Sequence, residues 1–171
     1  MNLPELLSTR KSKSEIDRYA DKINQDSGLL KQLVDLTLAK DSKMNHQAAW
    51  LLTVCHDKDP QPLKPYIRKL ILNLQKQTNV AVKRNSLRIL QTANIPENLY
   101  GELADICFNY LTSEEPVAVK TFSLTVLEKI CEKEPELKNE LIILIEDQLP
   151  YSNPAFVSRG SKILKKWKKV K

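Results

Sequence analysis

The side chains able to do chemistry are few, and their spacing limits what they can do. Only two histidines occur in 171 residues, His46 and His56. The second lies in Cys55-His56-Asp57-Lys58-Asp59, which crowds thiol, imidazole and carboxylate donors together. Adjacent side chains on a helix point in different directions, whereas a metal needs ligands that converge. The run therefore reads as a helix end with a buried Cys55 and a solvated His56. A Cys–His nucleophile would also need a positioned base and oxyanion donors, and no such set is legible. The three cysteines, Cys55, Cys107 and Cys131, are odd in number and form no CxxC, which argues against a disulfide framework or a Cys-rich zinc site. All three fall within apolar helical patterns, as buried free thiols do. The carboxylate groups Glu114-Glu115, Glu132-Glu134-Glu136 and Glu146-Asp147 fall at expected helix ends or on polar faces, where capping and solvation account for them. With 3 glycines there is no phosphate-cradling glycine loop. No catalytic residue, metal site or other cofactor is predicted.

Charge is the second guide. The net charge is +6, but from Ser158 onward seven basic residues occur without an acid: Arg159, Lys162, Lys165, Lys166, Lys168, Lys169 and Lys171. The remainder holds 20 basic and 21 acidic residues, a net of −1. The basicity thus belongs to a C-terminal helix. Such a helix can cap the fold in water, meet nucleic acid by counterion release, or meet an acidic protein or anionic lipid. No basic segment followed by an apolar run opens the chain, and the greasy stretch from Leu141 to Ile145 is too short to span a bilayer, so a cytoplasmic location is expected.

The elements that would position these residues come from a repeat. Segments beginning at Met44, Val82, Val119 and Val157 start 38, 37 and 38 residues apart. Four positions on stands a small residue, Ala48, Ser86, Ser123 or Ser161; seven on stands an aliphatic one, Leu51, Ile89, Val126 or Leu164. Those positions share one helix face, and the small residue lets a neighbouring helix approach. An amphipathic helix precedes each segment, over Leu29 to Ala39, Leu63 to Leu74, Leu99 to Leu111 and Leu137 to Leu149. Asp59-Pro60-Gln61-Pro62, Asn94-Ile95-Pro96-Glu97 and Glu134-Pro135 break the chain between pairs. Asp41-Ser42, Thr78-Asn79, Ser113 to Pro116 and Ser152-Asn153-Pro154 break it within pairs and offer cap oxygens to the second helices. A helix over 14–26 closes the N-terminal end. The predicted repeats are 27–59, 60–95, 96–134 and 135–169, in one domain spanning 1–171.

Asn79-x-x-Val82-Lys83-x-x-Ser86 and Glu115-Pro116-x-x-Val119-Lys120-x-x-Ser123 resemble the second-helix pattern of the HEAT repeat family. Asp41-x-x-Met44-Asn45-x-x-Ala48 resembles it without the basic residue, and the last repeat has Ser158 in the basic position. The resemblance covers about residues 27 to 169. It implies an all-α, right-handed α-α superhelix, a solenoid of four helix pairs with an N-terminal capping helix. In that family the basic residue, here Lys83 or Lys120, bonds a turn acid or carbonyl in a neighbouring repeat, and second helices line the concave face where partners bind. Asn45 to Trp50 and Ala118 to Ser123 are also similar to short bacterial HEAT proteins, some bearing an adenylosuccinate lyase label. That chemistry does not carry over, because the Ser-Ser-x-Met-Pro-x-Lys-x-Asn loop of the lyases is absent.

Counting about 100° per residue, the outward positions of the second helices are six and two residues after each start. They give Trp50, Arg88, Thr125 and Ile163, and His46, Arg84, Thr121 and Arg159. Trp50, Arg84, Arg88 and Arg159, with His46 nearby, are therefore the predicted partner-binding residues, unless Trp50 is covered by the N-terminal helix. Exposed Trp beside Arg suits a protein hot spot or a stacked base. The leading expectation is a non-catalytic protein-interaction module. The alternative is nucleic-acid binding, through the tail residues Lys162, Lys165, Lys166, Lys168 and Lys169 or in the manner of HEAT-like DNA-alkylation-repair glycosylases.

Overall fold

The computed structural model describes residues 1–40, 43–76 and 78–168. Asp41, Ser42, Lys169 and Lys171, named above as cap and tail residues, lie outside the described residues. Ten α-helices and no strand occur among those described. The chain divides into two compact units, Met1–Ile95 and Pro96–Lys171, at an expected repeat boundary.

The first unit holds α1 (Leu3–Ser8), α2 (Lys13–Gln25), α3 (Ser27–Leu38), α4 (Asn45–Lys58), α5 (Ile67–Leu74) and α6 (Val80–Leu90). Helix α1 was not expected from the periodicity. Asn2 caps it, Pro4 sits in its first turn, and Leu3, Leu6 and Leu7 are buried. Ser12 and Glu15 form a capping box that starts α2. Asp26 accepts hydrogen bonds from the Gly28 and Leu29 amides, so α3 follows with a one-residue joint. Pro65 tightens the start of the fifth helix into a 3-10 turn (Lys64–Tyr66), which is why α5 begins at Ile67 rather than Leu63. Helices α3 and α4, and α5 and α6, form the two hairpins; α2 packs on α3 and α4, and α4 packs along α6. Buried Ala48 on α4 and Ser86 on α6 keep the helix faces small where they were predicted to approach neighbours.

One link between repeats is polar. The Asn79 amide donates to Asn45 Oδ1 at 2.6 Å, while Asn79 Oδ1 accepts from the Val82 amide and starts α6. Asn45 donates in turn to the Ala39 carbonyl. Asn45, standing where the second and third repeats carry Lys83 and Lys120, thus makes a contact to the turn of the neighbouring repeat.

The second unit holds α7 (Tyr100–Thr112), α8 (Val117–Cys131), α9 (Lys138–Gln148) and α10 (Pro154–Lys168). Helices α7 and α8 form one hairpin, α9 and α10 the other, and α10 packs on α8. Helix α8 starts behind Pro116, an N-cap residue that has no side-chain oxygen to offer. The last helix corrects the expected register. Asn153 Oδ1 accepts from the Ala155 and Phe156 amides, which phases α10 on Phe156 rather than Val157. Phe156, Gly160 and Ile163 are buried, Ser161 is exposed, and Leu164 is half-buried. The small residue of this repeat is Gly160. Its bare Cα face lies against Ile145, where a Cβ would come within 2.9 Å of Cγ2.

Candidate binding surface

The thiols and the histidine of the Cys55–Asp59 run are held in packing. Cys55, Cys107 and Cys131 are buried and unbridged. Burial pushes the Cys55 and Cys107 thiols up to about 12 and Cys131 to about 11, so none is an activated nucleophile. His56 is not solvated: it is 4% exposed, and its Nε2 lies 3.0 Å from Thr92 Oγ1. It joins the end of α4 to the turn after α6. The physical reason is that α4 runs on to Lys58, which carries His56 under the neighbouring repeat. Among the described residues no group of three His, Cys, Asp or Glu could hold a metal ion. No described helix is long and apolar enough to cross a membrane.

The exposed side of α4 and α6 presents most of the predicted site. His46, Trp50 and Asp57 fall at intervals of four and seven residues, one stripe of α4, and all three are exposed. Arg84 and Arg88 form the corresponding stripe of α6, also exposed. Arg88 Nη2 meets Asp57 Oδ2 at 2.6 Å, which ties the two stripes together. Both partners are about half exposed, so the pair orients Arg88 more than it stabilises the fold.

Trp50 is 43% exposed and is not buried beneath the N-terminal helices. It forms one wall of a groove of about 360 Å³ whose other wall is the turn between α1 and α2. Leu6, Leu7, Ile16 and Leu51 supply the apolar lining, and Arg10 and Lys11 supply the cations; no carboxylate lines it. Glu15 stands near Lys11, but its carboxylate accepts from the Ser12 amide and hydroxyl, which hold it below the usual carboxylate range. Arg10 and Lys11 were missed because α1 was missed. Asn2 two residues before Pro4, with Leu3, Leu6 and Leu7, was the available cue.

Arg159 and the lysine tail have different surroundings. Arg159 hydrogen-bonds Thr125 and pairs with Glu128 on α8, and it is half-buried in the second unit. The correction in register explains this: Arg159 precedes buried Gly160 and faces α8 rather than pointing outward. Ile163, expected outward, is fully buried. Lys166 pairs with Glu128 and Glu132, and Lys168 with Glu146. Lys138 lies over the Trp167 ring at 5.6 Å. Lys162 and Lys165 are exposed.

Dividing the sequence by units changes the meaning of the charge. Residues 1–95 hold 16 basic and 9 acidic residues, a net of +7. Residues 96–157 hold 4 basic and 12 acidic residues, a net of −8, which the net +7 of residues 158–171 nearly cancels. The whole-chain remainder of −1 concealed two opposed halves. Arg159, Lys166 and Lys168 of the tail pair with acids of their own unit, and the surplus cations belong to the unit that carries Trp50.

Paired helices packed second helix on second helix, with open side faces, define a helical-repeat scaffold. The HEAT repeat domain profile matches residues 3–167, nearly the entire chain, and the protein belongs to the HEAT repeat family. No curated protein and no solved structure matches the chain.

Proposed function

We propose that this protein is a non-catalytic interaction module whose docking face is the exposed side of α4 and α6, and that its partner is a protein segment rich in carboxylates. The observation that carries the reading is the half-exposed Trp50 at the mouth of an apolar groove rimmed by Arg10 and Lys11. A large aromatic surface beside cations is the composition of an interface hot spot. The net +7 of residues 1–95 favours an acidic partner and would speed its encounter. Arg84 and Arg88 extend the cationic surface along α6.

Selection of random displayed peptides on the full chain tests this. Enriched sequences should carry Asp and Glu around an apolar residue, and Trp50→Ala or Arg84→Glu should weaken them about tenfold, roughly 1.4 kcal/mol. Enrichment of neutral or basic sequences, or binding indifferent to both substitutions, refutes the reading. The same basic surface with an exposed tryptophan also favours nucleic acid as a second reading. Salt-sensitive binding of single-stranded or duplex oligonucleotides, abolished by Trp50→Ala, would replace the protein partner with that one. Reversing Lys162 and Lys165 separates a tail contribution, because these lysines are exposed outside the pairs of Lys166 and Lys168.

A further inference from the structure

A second groove, of about 490 Å³, lies in the other unit between the exposed sides of α7 and α9. Phe108 from α7 and Ile143 and Leu144 from α9 form its apolar part; Glu136 and Glu140 stand on its rim, and the remaining lining is neutral. Ile143 is 57% exposed, so an aliphatic side chain projects into open space where a helix of a lone domain would normally place a polar one. The acids here are uncompensated. Arg159, Lys166 and Lys168 of α10 are engaged with Glu128, Glu132 and Glu146, and Lys138 lies over Trp167. Glu136 and Glu140 make no ion pair among the described residues. Neighbouring Glu134 is held above the usual carboxylate range by a hydrogen bond to Glu136 and by the charges of Glu136 and Glu97, the mark of like charges crowded together.

We infer that this groove docks a basic amphipathic helix of a protein partner, its apolar stripe on Phe108, Ile143 and Leu144 and its Lys or Arg residues against Glu136 and Glu140. Helix α9 is 11 residues long, about 16 Å, which accommodates about three turns of a docked helix. Apolar anchors at helical spacing supply affinity, and the acid rim sets orientation and excludes acidic sequences. The groove shares no residue with the α4–α6 face, so the inference stands apart from the function proposed above.

The probe is a labelled Leu/Lys peptide of about 18 residues, with leucine at helical intervals and kept below its own association concentration, titrated with the full chain. Its controls are a scrambled peptide of the same composition and a version with Glu for Lys. The helical peptide should bind about tenfold tighter than the scrambled one, and the acidic version should not bind. Ile143→Ser, and separately the pair Glu136→Gln and Glu140→Gln, should each weaken binding about fivefold, whereas Trp50→Ala should leave it unchanged. These positions are exposed, so the variants should fold, which a thermal melt checks. Equal binding of the scrambled peptide, or indifference to Ile143→Ser, overturns the inference. So does self-association of the full chain that Ile143→Ser abolishes, because the occupant is then a second copy.

Discussion

Replacing Gly160 with alanine tests the packing of α10 on α9. At an exposed helix position the change would stabilise by about 1 kcal/mol, because glycine loses most on entering a helix. Here the new Cβ would lie 2.9 Å from Ile145 Cγ2, 3.6 Å from Leu149 Cδ2 and 3.9 Å from Phe156 Cε1. Comfortable carbon contacts are about 3.5–4.0 Å, so α10 and Ile145 must part by roughly 0.6 Å or more. Ile145 is fully buried, and its Cγ2 branches from Cβ, where helical χ1 is stiff, so it cannot swing aside. Overpacking of this kind costs about 1–3 kcal/mol, leaving a net loss of about 0–2 kcal/mol after the propensity gain. Urea unfolding should be followed by fluorescence in a Trp50→Phe background, so that Trp167 on α10 alone reports on the second unit. Ile145→Leu moves the methyl off Cβ at constant volume and should recover most of the loss, a non-additivity that a double-mutant cycle reads. A Gly160→Ala protein stabilised by about 1 kcal/mol refutes the close approach, as does an equal loss in both backgrounds.

Three further outcomes are expected. Ser86→Leu and Ser123→Leu, at buried positions, should each destabilise by about 1–3 kcal/mol in chemical denaturation, whereas Ser161→Leu should change stability by less than about 0.5 kcal/mol because Ser161 is exposed. Asn79→Ala removes the cap of α6 and the bond to Asn45 together and should cost about 1–2 kcal/mol; an unchanged melt would mean the polar link adds nothing. The anchoring of α10 should depend on pH at both ends. A hydrogen bond from Lys166 holds the Glu132 carboxyl below its usual range, and Glu132 and Glu128 hold the Lys166 ammonium above its own. The lowered acid contributes stability above about pH 4.3 and loses it as pH falls through its folded value; the raised lysine contributes below about pH 10.4 and loses it as pH rises through its folded value. Trp167 fluorescence should therefore report loosening of α10 at both extremes, and a flat profile in Lys166→Met would assign the change to this cluster.

The helix pairs were legible because buried positions at helical spacing repeat with almost constant period. Ala48 and Leu51, and Ser86 and Ile89, carry the same information twice. The last pair misled because two neighbouring frames look alike: Val157-Ser161-Leu164 has the apolar–small–apolar form, and so does Phe156-Gly160-Ile163. The cap decides between them. Asn79 stands three residues before Val82, and Asn153 stands three before Phe156, so cap spacing was the better guide than residue type. Phase put Trp50 on the outward side of its helix but left open whether the N-terminal helix covers it; it is 43% exposed. The groove beside it was not legible, because its second wall comes from the α1–α2 turn, distant in sequence. His56 was misread for the converse reason: local sequence resembles a solvated helix end, and its cover, Thr92, arrives 36 residues later. The tail looked like free charge because its counter-ions Glu128, Glu132 and Glu146 belong to other helices.

The three thiols give the protein internal clocks. Each lies within helix packing, Cys55 in the first unit and Cys107 and Cys131 in the second. With their ionisation suppressed by burial and their sulfurs out of reach, alkylation in the native state must wait for an opening event. Its rate then counts how often that part of the chain comes undone. A partner seated on Trp50 should slow modification of Cys55, whereas a helix seated on Ile143 should slow that of Cys107. The identity of the protected thiol would thus report which surface is occupied in a mixture where no partner has yet been purified.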